Sequence, residues 1–203
     1  MIRVFLLLIA VPLAPLAAAD SELAPSEAAY EAGVEAHERG DSEAAAEHLR
    51  RAAELGSAAA AFRLAVMYES GDGVGASMNR AMEWYRRAAE AGNEMAQFNL
   101  AHHYATGRSV EADPIEAERW YRKSAEQDNP HAQKALGLMR FFGEGEVARD
   151  LVEAYRWLTL AVLNFDANHF RDDAAHARRE VLEQMTAEQE ERGRELVEEH
   201  RAR

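Results

Sequence analysis

Residues 80–92 read RAMEWYRRAAEAG, residues 116–128 read EAERWYRKSAEQD, and residues 153–165 read EAYRWLTLAVLNF. Trp84, Trp120 and Trp157 therefore recur at intervals of 36 and 37 residues. A tryptophan at so regular a spacing belongs either to a repeated site or to a repeated packing surface, and its neighbours decide which. Asp41, Ser77, Asp113 and Asp150 keep the same rhythm, at 36, 36 and 37 residues. Each is a good helix N-cap, because its side chain can accept a hydrogen bond from a free N–H of the first turn. Pro114 stands just inside the third start, where its missing N–H costs nothing. Asp113 with Glu116, and Asp150 with Glu153, are spaced as capping boxes.

An alanine follows four residues after each cap: Ala45, Ala81, Ala117 and Ala154. From it an apolar stripe runs at helical spacing. The stripe reads Trp84, Tyr85, Ala88, Ala89 in the second unit, Trp120, Tyr121, Ser124, Ala125 in the third, and Trp157, Leu158, Ala161, Val162 in the fourth. In the first unit it is weaker: His48, Leu49, Ala52, Ala53. A second helix precedes each cap. Ala60, Leu64, Ala65 and Tyr68 share one face, and their counterparts are Ala96, Leu100, Ala101, Tyr104 and then Ala132, Leu136, Gly137, Arg140. These helices stop at Gly71, Gly107 and Gly143, since glycine accepts the left-handed conformation cheaply. A lone hairpin of this kind cannot bury its stripe, whereas stacked hairpins bury a continuous core. The tryptophans are accordingly packing residues, set opposite the small Ala65, Ala101 and Gly137.

At these residues the chain resembles the Sel1-like repeats, relatives of the tetratricopeptide repeats. AAFRLAVMYESGDGV followed by AMEWYRRAAEAG matches the family pattern well. AQFNLAHHYATGRSV carries Ser109 in place of the second loop glycine, and AQKALGLMRFFGEGE carries Arg140 for the tyrosine and Glu146 for the valine. The first unit, with its shorter loop, is closer to an ordinary tetratricopeptide repeat. The repeat signature residues are thus Trp84, Tyr85, Trp120, Tyr121, Trp157, Gly71, Gly107 and Gly143. The resemblance implies an all-α, right-handed α-solenoid of antiparallel helix pairs ending in C-terminal capping helices. It divides the chain into a short linker at 20–27, a first helix pair at 28–56, repeats at 57–92, 93–128 and 129–165, and capping helices at 166–203. It further implies a scaffold or adaptor role in the cell envelope.

Residues 1–19 have the layout of a secretory signal. Arg3 precedes an apolar run from Val4 to Leu16, and Ala17, Ala18 and Ala19 offer an A-x-A cleavage site. The run is shorter than the ~20 residues a spanning helix needs, and Pro12 and Pro15 interrupt it. The expectation is cleavage after Ala19, release into the periplasm or outside the cell, and no membrane span afterwards. There is no cysteine, hence no disulfide, thiol nucleophile or lipid-bearing cysteine. The formal charge is −13, and the arginines mostly alternate with glutamates, which disfavours a nucleic-acid partner.

No residue pattern nominates a catalyst. GDGVG and GEGEV follow helices rather than strands, which fits an inter-helix loop and not a phosphate loop. His102 and His103 point about 100° apart on a helix and cannot chelate one ion. His169, Asp173 and His176 share a helical face and could hold a zinc ion; an exposed polar face explains them more simply. Ser77 and Ser109 lack a strand–turn–helix setting. No enzyme activity, metal or cofactor is expected. A hydrolase acting on cell walls or lactams, as in cysteine-rich relatives, is disfavoured by the missing cysteines. A structural role in polysaccharide assembly would call for exposed aromatics in a row, with Phe141, Phe142 and Tyr155 as candidates.

What remains is surface. Aligned at 36 residues, Val66, His102 and Leu138 form one row on the first helix of each pair, and Phe62, Phe98 and Lys134 form a second. A residue two positions after the packing leucine points about 200° away from it. The first row is therefore expected to face outward into a concave groove, with Phe141 near one end. Phe62 and Phe98 can equally be half-buried packing residues. The partner expected there is another protein or a peptide.

Overall fold

The computed structural model describes residues 23–143 and 145–203, so the segment read as a signal lies outside the described residues. Ten helices and no strand occur among them. They are α1 (Pro25–Glu38), α2 (Ser42–Glu54), α3 (Ala58–Ser70), α4 (Met78–Glu90), α5 (Glu94–Thr106), α6 (Pro114–Ala125), α7 (Pro130–Phe142), α8 (Leu151–Asn164), α9 (His169–Leu182) and α10 (Ala187–Arg201). Each of α1/α2, α3/α4, α5/α6 and α7/α8 is a hairpin, and each hairpin packs on the next through its second helix. Contacts between elements fall almost entirely on neighbours in the chain, as in a solenoid. At the C-terminal end α9 packs on α8, and α10 returns to α8.

The caps form at the expected residues. Asp41, Ser77 and Asp113 accept from the N–H three residues on, and Asp150 accepts from both Val152 and Glu153. Gly71, Gly107 and Gly143 end α3, α5 and α7 in the left-handed conformation. The two expected capping boxes form only their forward half. The N–H groups of Asp113 and Asp150 are already donated to the carbonyls of Tyr104 and Arg140, at 3.0 and 2.8 Å. Glu116 and Glu153 are thereby free to take the indole N–H one turn on: Trp120 Nε1 donates to Glu116 at 3.2 Å and Trp157 Nε1 to Glu153 at 2.9 Å. The complete capping box is at α10, between Thr186 and Gln189.

The stripes form the core, with Leu64, Leu100, Leu136, Tyr85 and Leu158 fully buried. The three tryptophans are not equivalent. Trp157 is 0% exposed and Trp120 3%, while Trp84 is half-buried beneath Arg87. Tyr85, one residue on, takes the deeper position. Trp157 owes its cover partly to α10, whose His200 meets the indole edge-on at 5.6 Å. That helix comes so near α8 because of Gly193: a Cβ there would lie 2.6 Å from Tyr155 Cδ1.

Arg140, where the other repeats hold Tyr68 and Tyr104, has a local explanation. Arg50 donates to the Tyr68 hydroxyl at 3.3 Å and Arg86 to that of Tyr104 at 2.9 Å. In the third such pair an arginine would confront Arg122. Glu118 resolves this by accepting from both Arg122, at 3.0 Å, and Arg140.

Candidate binding groove

The first helix of each hairpin presents the two predicted rows on one side of the stack. Val66 and His102 are exposed, as expected, while Leu138 is half-buried and packs toward α9 and the end of α7. Phe62 and Phe98 are half-buried. Phe62 lies 6.1 Å from the Tyr85 ring, and Phe98 lies 5.7 Å from Tyr121 and 6.4 Å from His102. Lys134 is engaged, pairing with Asp173 at 3.1 Å and sitting 5.7 Å from the Phe170 ring centroid. That pairing also takes one member of the His169, Asp173, His176 set, and His176 pairs with Glu180 at 3.3 Å. Among the described residues no cluster has the makings of a metal site.

Phe141 is a correction to the expected groove. It is 6% exposed and packs with Tyr155, Leu158, Ala177 and Val181, so it belongs to the C-terminal core and not to the groove. The packing of α9 on α8 puts it there. Its neighbour Phe142 is the exposed one, at 63%. Tyr155 is buried too, so the row of exposed aromatics wanted for a polysaccharide surface does not form.

Two members of the rows escape a fixed 36-residue period. Gly33 faces Leu49 as Gly137 faces Leu158: a Cβ at either glycine would fall 2.8 or 2.7 Å, respectively, from the leucine Cγ. Gly33 is therefore the counterpart of Ala65, Ala101 and Gly137, at an offset of 32 because the α1–α2 turn is shorter than the later loops. The same offset makes Tyr30 the counterpart of Phe62, and Val34 that of Val66. All four side chains line one cavity of about 490 Å³ between α1 and α3, together with Met67 and Arg63. Arg63 donates through Nε to the Tyr30 hydroxyl at 2.9 Å and lies over that ring, with no carboxylate partner among the described residues. An apolar, aromatic floor with Arg63 as a donor, and with Asp72 beside His37 at 3.8 Å among the other lining residues, is suited to an apolar segment carrying polar groups of both kinds.

Further along, the ring series continues as Phe98, His131 and Phe170, with His131 5.8 Å from Phe98 and 5.1 Å from Phe170. Burial, helped by Lys134, holds His131 below its ordinary value. His103 is likewise held low, chiefly by burial. Burial thus favours the neutral form of both rings, and Lys134, paired with Asp173, is the charged member of the row here.

The family model described as Sel1 repeat matches residues 21–57, 58–93, 94–129 and 130–164, four tandem copies. Among solved structures, the chain is similar to a Sel1 repeat protein from Oxalobacter formigenes. The two are 27% identical with a TM-score of 0.63, over 71% of this chain and 62% of the other. It is also similar to a protective antigen present in uropathogenic Escherichia coli strains that displays an SLR fold. There the identity is 28% and the TM-score 0.55, over 86% of this chain and 45% of the other. The chain thus spans less than two thirds of the length of either. No curated protein matches it.

Proposed function

We propose, from the premise that this chain belongs to the Sel1-repeat family, that it is a scaffold holding a protein or peptide segment in the groove along α1 and α3 and onward over α5. Sel1-repeat proteins are generally protein–protein interaction scaffolds. The observation that carries the reading is the cavity of about 490 Å³ floored by Tyr30, Val34, Phe62 and Val66. Val66 is an exposed apolar residue on a helix whose packing needs are already met by Leu64 and Ala65. An apolar surface left uncovered in this way marks an interaction site. The leader-like segment at 1–19 supports work in the cell envelope, after export and cleavage behind Ala19.

The test is a double substitution, Val34→Glu with Val66→Glu. Helical content by circular dichroism should match wild type, because neither side chain is in the core. Affinity for the partner recovered by crosslinking in the envelope should drop by at least tenfold. Undiminished affinity would move the docking surface to the outer face of α2, α4 and α6, or to α10.

A further inference from the structure

We propose that Ser109 is a nucleophile served by His103 as general base, and that the pair cleaves small carboxylic esters in the pocket beside α3 and α5. The starting point is a comparison of the repeats with one another. Positions 67, 103 and 139 read Met, His, Met, and positions 73, 109 and 145 read Gly, Ser, Gly. The middle repeat alone departs at both places, and the two departures touch: Ser109 Oγ lies 3.0 Å from His103 Nδ1. Gly73 and Gly145 sit at φ +65° and +59°, while Ser109 is outside the left-handed region, so this loop follows a different path at that residue.

The surroundings suit a base. His103 is 7% exposed, and its Nε2 faces Glu69 Oε1 at 3.9 Å. Glu69 is itself oriented, since Oε2 accepts from the Tyr85 hydroxyl at 2.5 Å. A carboxylate on the Nε2 side favours the tautomer with its proton on Nε2, which leaves the Nδ1 lone pair to accept from the Ser109 hydroxyl. Burial, the largest influence, keeps the imidazole neutral at neutral pH; His102 and Arg108 add to this and Glu69 opposes it. Ser109 is only half-buried and opens on a pocket of about 500 Å³ that Asn99 and Arg108 also line. Either of those can donate to the oxygen of a tetrahedral intermediate.

The chemistry balances without a further reactant. Ser109 Oγ attacks the ester carbonyl while its proton passes to His103 Nδ1. The carbon–oxygen bond to the alcohol breaks, and His103 returns the proton to the departing alkoxide. Water then attacks acyl-Ser109 with His103 again taking a proton, releasing the acid and restoring the serine. No residue of this pocket lines the α1–α3 cavity, although His102 also stands in the groove's outer row, so labelling is measured without the partner present.

The test uses the whole chain and an alkyl fluorophosphonate, whose phosphorus a nucleophilic serine attacks with loss of fluoride. The variants are His103→Met and Ser109→Gly, each the residue that sister repeats hold at that position. Circular dichroism should show both folded. The wild type should acquire one adduct, located to Ser109 by peptide mass spectrometry. Ser109→Gly should acquire none, and His103→Met should label roughly 100-fold more slowly. p-Nitrophenyl acetate hydrolysis should fall in parallel. Failure of wild type to label at Ser109, or labelling of His103→Met at the wild-type rate, would overturn the proposal and leave Ser109 as a hydrogen-bond partner for a core histidine.

Discussion

Replacing each tryptophan of the repeat by alanine should give a graded loss of stability, although the three occupy equivalent positions. Trp157 has the most to lose. It is fully buried, its N–H is bonded to Glu153, and it supports His200 of α10. Trp157→Ala should cost about 4–5 kcal/mol, the upper part of the range for buried aromatics. Trp120→Ala should cost about 3–4 kcal/mol, since its ring is nearly as buried and its N–H bonded to Glu116. Trp84 is less completely covered, and losing the burial of about two thirds of a ~200 Å² side chain should cost about 3 kcal/mol at ~25 cal/mol per Å². Urea unfolding followed by circular dichroism gives the ordering. Native-state hydrogen exchange gives the location. In a linear stack the loss at Trp157 should loosen α8 and α10 well before α1 to α3. A Trp84→Ala cost equal to that of Trp157→Ala would refute the claim that cover from α10, rather than repeat position, sets the contribution.

Acid should destabilise the protein in two stages. His103 and His131 have folded values depressed by burial, so the unfolded chain takes up protons first; their contribution is complete above the unfolded value of about 6.5 and is lost as pH falls below it. The urea midpoint should therefore drop between pH 7 and 5, and less so in His103→Met. Glu116 is held low chiefly by its hydrogen bond from Arg119; burial, the largest single influence on Glu153, pushes that carboxyl up, but Trp157, Arg156 and Arg122 together outweigh it and hold it low. Their stabilisation is present above the ordinary carboxylate range and is lost as pH falls through it, so a second drop should appear below about pH 4.5. Gly193→Ala places a methyl against the Tyr155 ring and should cost about 1–3 kcal/mol, read as faster proteolysis or exchange of α10. Asp173→Asn breaks a partly exposed pair with Lys134 and should change stability by less than about 1 kcal/mol.

The repeat was legible because its signals are local. Caps, glycine stops and the alanine-led stripe each lie within one helix or its ends, and they recur in step. The groove was legible only where the period held. Tyr30 and Val34 were missed because a shorter first turn shifts the register, and the clue available was Gly33, the small residue facing Leu49. Phe141 was misplaced for a different reason. Its burial depends on how α9 folds back onto α7 and α8, a packing beyond the repeats that no repeat pattern encodes. The return halves of the two capping boxes, from Glu116 and Glu153 to the cap N–H, do not form because the preceding helix has already claimed that N–H, again a contact between elements. The Ser109–His103 contact lay in plain view as two departures from the repeat, but only the loop path brought them together.

The groove can be tested most directly by placing a photo-crosslinking amino acid at position 66, on its floor, and separately at exposed position 83, on α4, in cells making the protein. Illumination should yield a discrete higher-mass adduct from position 66 that disappears when Val34 is also replaced by glutamate, and none from position 83. A partner captured from position 83 and not from 66 would contradict the account and place recognition on the second helices.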